Sequence, residues 1–157
     1  MKAQERTPAG AALGTSALYL FKVASGMLTE GDRLVADLGL SSSRWQVLGT
    51  IVAAERPQPV AWLARDMGAN RQNVQRIVHD LARDGFVEFA NNPHHRRAPL
   101  VMLTASGQNV HNRAVNLGAP WMNELARGIP PEDIEIMRRV LMALQTKLEK
   151  GIPAQQA

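Results

Sequence analysis

Apolar residues recur at helical spacing along the start of the chain: Leu13, Ala17, Leu20, Ala24, Met27, Leu28, Leu34, Val35 and Leu38. This stripe predicts a helix over about 11 to 38, closed by Gly39, which suits the left-handed conformation that ends helices. Ser41 or Ser42 can cap a second helix, about 43 to 54, with Trp45, Leu48, Ile51 and Val52 on its apolar side and Pro57 and Pro59 past its end. Val60, Leu63, Ala64 and Met67 predict a short third helix, about 60 to 67, stopped by Gly68. Asn70 caps a fourth, about 71 to 84, stopped by Gly85. The period then changes to two: Phe86–Ala90 reads as a strand, Asn91–Arg97 as a polar turn and Pro99–Leu103 as the returning strand. Thr104 or Ser106 caps a fifth helix, about 105 to 127, expected to bend near Gly118-Ala119-Pro120. Pro131 opens a last helix, about 131 to 149, with Ile134, Met137, Leu141 and Leu144 on one stripe. The ends, 1–9 and 151–157, are expected to fray.

The stretch from Val60 to Gly85 carries the chemistry. Two short helices are joined by Gly68-Ala69-Asn70, a turn too tight for a generic helical hairpin. Small Ala64, the turn glycine and Val74 packing back between the helices are what a helix-turn-helix requires. At about 100° per residue, Val74, Ile77, Val78 and Leu81 share one arc of the second helix, and Gln72, Arg76, His79 and Arg83 lie opposite, flanked by Asn73 and Gln75. Guanidinium and amide groups match the edges of guanine and adenine. The N-terminal turns of this helix hold no acid, which is unfavourable in water and favourable beside a phosphate. Asn70, Arg71, Gln72, Asn73, Gln75 and Arg76 are therefore the expected DNA contacts, with Arg76 the leading base reader and Arg71, at the side, on phosphate. The hairpin that follows has Arg96 and Arg97 in its turn, so it reads as a wing able to place arginine in a minor groove.

Composition narrows the alternatives. The 157 residues are 45% hydrophobic and 20% charged, which is globular, and the net charge of +4 permits a polyanionic partner without demanding one. There is no cysteine, which excludes disulfides, thiol nucleophiles and sensing by thiol oxidation. No set of nucleophile, base or metal ligands converges, so no enzyme and no cofactor are expected. His94 and His95, adjacent on an extended segment, point to opposite sides, so no metal site is expected either. A winged helix used for protein contacts alone is the competing non-enzymatic reading; salt-dependent binding to duplex DNA separates the two. No run of 18 apolar residues occurs, so no membrane-spanning helix is expected. A secretory signal at Ala9–Phe21 is disfavoured because Lys22 follows without a small-x-small cleavage site and the apolar stripe continues beyond it; a cytoplasmic location is expected.

The chain resembles the MarR family of bacterial transcription regulators over about residues 11 to 149. The likeness rests on four stretches in order: Leu38-Gly39-Leu40-Ser41 with Trp45 and Leu48; Val60 to Gly68 with Leu63-Ala64-Arg65; Asn70 to Val87; and Arg96-Arg97-Ala98 with Val101, Leu103-Thr104 and Gly107. The last stretch is the most specific. Three positions depart from the family pattern. His95 stands where an acid usually orients the second wing arginine, Asn70 replaces the usual Ser or Thr cap, and Pro130 replaces a Ser-type cap.

The resemblance implies a mainly α fold: one domain with a winged helix-turn-helix over about 40–104, a two-stranded wing hairpin, and dimerisation helices over about 11–38 and 105–149. It implies a homodimer, probing a pseudo-palindrome with recognition helices about 34 Å apart, and a repressor released by a small, aromatic effector. The long terminal stripes agree, because one small domain cannot bury both. Met27, Arg44, Trp45 and His111 are the candidate effector residues: Trp45 offers a flat apolar wall, and Arg44 or His111 a partner for a carboxylate. Plain core packing is the competing reading for Trp45 and Met27.

Overall fold

The computed structural model describes residues 5–151. Its elements are α1 (Pro8–Val35), a 3₁₀ turn (Ala36–Leu38), α2 (Ser42–Ala53), β1 (Gln58–Pro59), α3 (Val60–Asp66), α4 (Arg71–Arg83), β2 (Val87–Ala90), β3 (Leu100–Leu103), α5 (Ala105–Ala126) and α6 (Pro131–Glu149). The first helix starts earlier than expected, because the Thr7 hydroxyl accepts from the Gly10 amide at 3.1 Å and Pro8 fits a first turn. Pro8 and Ala9 are thus helical rather than frayed, and most of the remaining expected fraying lies outside the described residues.

The sheet bears out the two-stranded hairpin and adds to it. The hairpin of β2 and β3 pairs Val87 with Leu103 and Phe89 with Val101, and β1 adds a third antiparallel strand, Gln58 opposite Val101 and Pro59 opposite Leu100. The wing base is therefore three-stranded, in the order β1-β3-β2. Two residues, Gln58 between Pro57 and Pro59 and then Pro59 itself, carry no alternating pattern, so this strand leaves no periodic signal.

The packing forms two compact units, one running to Ala119 and one starting at Pro120. The division falls inside α5, which stays helical through Pro120. The first unit has one apolar core that includes Val35, Val47, Leu48, Leu63, Val74, Val78, Leu81, Val101 and Ala114. Leu48, Val78 and Leu81 have no exposed surface, so α2 and α4 meet through their apolar faces. Along α1 the position is different. Leu18, Tyr19 and Phe21 are 64%, 65% and 71% exposed. In the second unit, α6 buries no residue and exposes Ile136, Met137, Val140, Leu141 and Met142.

By length and composition alone α1 also qualifies to cross a membrane, with a mean hydropathy of 1.3 over its best 18-residue window, none of it buried. The expectation of no such segment does not hold on that measure. Gly14, Thr15 and Ser16 break the apolar run without lowering its average far, and Lys22 is a single charge.

Candidate nucleic-acid interface

The turn between α3 and α4 is built from local hydrogen bonds. Gly68 adopts φ +59°, and the Ala69 amide donates to the Ala64 carbonyl at 2.9 Å. Asn70 then caps α4: its side-chain oxygen accepts from the amides of Gln72 at 2.9 Å and Asn73 at 3.2 Å. These bonds fix where α4 begins and how it leaves α3. Val74, Ile77, Val78 and Leu81 are buried, while Arg71, Gln72, Asn73 and Arg76 are exposed and Gln75 is half-buried. The predicted contacts on α4 therefore share its outer side, with Gln75 turned towards the wing.

The far end of α4 is tied to α2. Arg44 donates to the Gly39 carbonyl at 2.7 Å and to the Asp84 carboxylate at 2.5 Å, and its guanidinium lies 5.8 Å from the Phe86 ring centre. On the outer face, Asp80 pairs with Arg83 at 2.7 Å and stands 3.8 Å from Arg76. Asp80 holds the two arginines without burying either, since both are about 70% exposed. Gln75 and His79 are linked side chain to side chain at 2.7 Å, and the His79 ring packs on Phe89 of β2 with centres 5.3 Å apart.

In the wing the acid expected to orient Arg97 is missing, and Asn92 organises the turn. Its side-chain amide donates to the Ala98 carbonyl at 2.8 Å, and its side-chain oxygen accepts from the His94 amide at 3.0 Å. The backbone adds His95 to Asn92 at 3.2 Å and Ala98 to His95 at 2.9 Å. Arg96 and Arg97 make no ion pair among the described residues. Arg97 instead lines a cavity of about 260 Å³ between wing and α4, together with Arg71, Gln75, His79 and Phe89. Sequence reasoning does not single out Asn92 as the residue that shapes the wing; an Asn before a Pro in a turn is its signal.

A sequence profile of the MarR family matches residues 38–98, the span from the end of the first helix to the wing. An uncharacterised protein of Mycobacterium tuberculosis is 32% identical over 132 residues, covering 82% of this chain and 91% of that protein. The chain belongs to the MarR family. A transcriptional activatory protein of Rhodopseudomonas palustris, BadR, is 34% identical over 96 residues, covering 58% of this chain and 53% of BadR. The crystal structure of CouR from Rhodococcus jostii, bound to p-coumaroyl-CoA, shares the fold with a TM-score of 0.74 at 20% identity, over 90% of this chain and 94% of CouR. The MarR-family chain is thus a DNA-binding transcription regulator and not an enzyme.

The four candidate effector residues are not brought together. Trp45 and His111 both lie in the seam between α2 and α5: a Cβ on Gly118 would come within 2.5 Å of the Trp45 ring, and one on Gly49 would lie 3.7 Å from His111 Nε2. The donors of Arg44 point the other way, to Gly39 and Asp84. Met27 is 38% exposed on α1. Burial lowers the pKa of His111 below its ordinary value, partly offset by a hydrogen bond with Asn112, and its Nδ1 is buried without a partner. In this seam His111 is a neutral hydrogen-bonding group rather than a cation.

Proposed function

We infer that this MarR-family regulator is a homodimeric repressor, acting in the cytoplasm on a pseudo-palindromic operator and released by an aromatic effector. The observation that carries the dimer is the exposed apolar length of α1 and α6, including Phe21 at 71% and Met142 at 52%. A monomer in water would leave that surface bare, and a second copy covers it with an identical patch. In each protomer Asn70 to Arg76 enters the major groove, with Arg76 and Gln75 on base edges, Gln72 and Asn73 beside them, and Arg71 on phosphate. Arg96 and Arg97 extend the contact along the neighbouring minor groove.

We assign effector binding to Trp45 and His111, with Met27 of α1 a further candidate. CouR, which shares the fold, binds an aromatic thioester, and this supports an aromatic ligand. The two terminal nitrogens of Arg44 are committed to Gly39 and Asp84 and its Nε is buried, so the polar partner for the ligand is His111, which offers an uncharged nitrogen. Release of DNA requires that the ligand bind the free form more tightly than the DNA-bound form.

The likeness to BadR supports a second reading, activation. Pulling down bound genomic fragments and reading them for a shared palindrome tests the DNA reading. Transcript levels in a deletion strain then decide the sign: genes beside the palindrome rise if the protein represses and fall if it activates. Sedimentation of detergent-free protein tests the dimer, and recovery only with membranes would sink it.

A further inference from the structure

The link from Gln75 to His79 has a polarity set by which end of the Gln75 amide faces the ring. The two nitrogens, Gln75 Nε2 and His79 Nε2, lie 2.7 Å apart. An amide nitrogen has no lone pair to accept with, so Gln75 donates, and the imidazole nitrogen facing it is the bare one. The His79 proton then sits on Nδ1. The ring is held in that position by Phe89 of the wing strand, with centres 5.3 Å apart and planes 46° from each other. Phe89 is half-buried against the core, opposite the fully buried Val101.

This matters because an unrestrained glutamine is ambiguous. Rotating the terminal amide by half a turn exchanges oxygen and nitrogen at little cost. Adenine presents an acceptor and a donor side by side in the major groove, and an amide matches them in only one order. With one N–H engaged by His79, the remaining N–H and the carbonyl oxygen of Gln75 are left as a donor–acceptor pair of defined order.

We propose that His79 is a positioning residue for base readout: it sets the amide orientation of Gln75, and through Phe89 it makes that orientation depend on the wing. The proposal rests on Gln75 being a base reader. Gln75 and His79 stand one helical turn apart, where side chains on a helix meet. The cavity that they share with Arg71 and Arg97 gives Gln75 room to adopt the wrong orientation when His79 is absent.

The experiment is binding-site selection from random duplexes with five proteins: wild type, Gln75→Ala, His79→Phe, His79→Gln and the double variant Gln75→Ala/His79→Phe. Phe keeps a ring against Phe89 and removes the acceptor. Gln keeps a hydrogen-bonding group near the lost nitrogen. Freeing one rotamer-rich side chain predicts that His79→Phe binds the preferred duplex about 3–10-fold more weakly, with unchanged affinity for duplexes altered at the one position that Gln75 reads. His79→Gln, whose own amide flips as freely, restores the preference only in part. In a Gln75→Ala background His79→Phe changes nothing further. If Gln75→Ala leaves every position of the selected site unchanged, Gln75 is not a reader and the interface assignment fails. If Gln75→Ala erases one position and His79→Phe retains it, the interface stands and the positioning role is overturned. Matching thermal melts for wild type and His79→Phe separate either result from misfolding.

Discussion

Arg44, on the first turn of α2, donates to Asp84, the residue that closes α4, at 2.5 Å across forty positions of sequence. The pair is mostly shielded on the Arg44 side, whose side chain is 19% exposed. It clamps the rear of α4 to the core and leaves its front turn exposed. Replacing Arg44 with Ala is expected to lower stability by about 1–2 kcal/mol, the scale of a charge-assisted hydrogen bond outside full burial. Chemical denaturation measures it. A variant of unchanged stability that no longer responds to effector would return Arg44 to the ligand seam.

Arg76→Ala is expected to cost about 1–3 kcal/mol for the operator and to relax sequence preference. Equal losses on every sequence would mark it as a phosphate clamp. Asp80→Asn is expected to act in the opposite direction, since it removes a negative charge beside the DNA and frees both Arg76 and Arg83. Non-specific duplexes are the substrate on which that gain is read.

Replacing Arg96 and Arg97 together should lower the slope of log K against log salt by about 0.9 for each phosphate that the wing no longer neutralises. A slope that does not move takes the wing out of the interface.

His111 makes stability depend on pH. Its folded pKa lies below the ordinary value of 6.5 because of burial. The unfolded chain therefore binds a proton more readily, and stability that is present above that value is lost as pH falls through it towards the folded pKa. His111→Gln should flatten the fall in stability on the acid side of 6.5. A wild-type profile with no fall there would contradict the assignment.

Gly107 sits so close to Phe86 that an added Cβ would overlap the carbonyl oxygen of that residue. Backbone cannot swing aside as a side chain does, so Gly107→Ala should destabilise by about 1–3 kcal/mol or more. Thermal melting reads the effect, and a neutral result would mean that α5 leaves the wing differently.

The helices, their caps and the polar face of α4 are legible in the sequence because period, Asn70 and the flanking glycines act locally. What the sequence hides depends on distant partners. Nothing near Arg44 announces that Asp84 will hold it, and so it reads equally well as a carboxylate receptor. Gln58 and Pro59 become a strand only because β3 arrives beside them. His79 is visible on the polar arc, but its link to the wing needs Phe89 in place. The replacement of the usual wing acid by His95 is visible; that Asn92 takes over the turn is not.

Thr104 stands between β3 and α5. Its hydroxyl donates to the Gly85 carbonyl at 2.6 Å and accepts from the Gly107 amide at 2.9 Å, and its own amide donates to the Phe86 carbonyl at 3.2 Å. The hairpin thus leaves the body at Gly85–Phe86 and comes back to the same two residues. Everything between is a closed excursion, and what happens at its tip does not propagate into the register of α5. Such a joint lets the tip lengthen, shorten or change charge over evolutionary time while the rest of the molecule keeps its geometry. A wing joined this way can vary without renegotiating the fold.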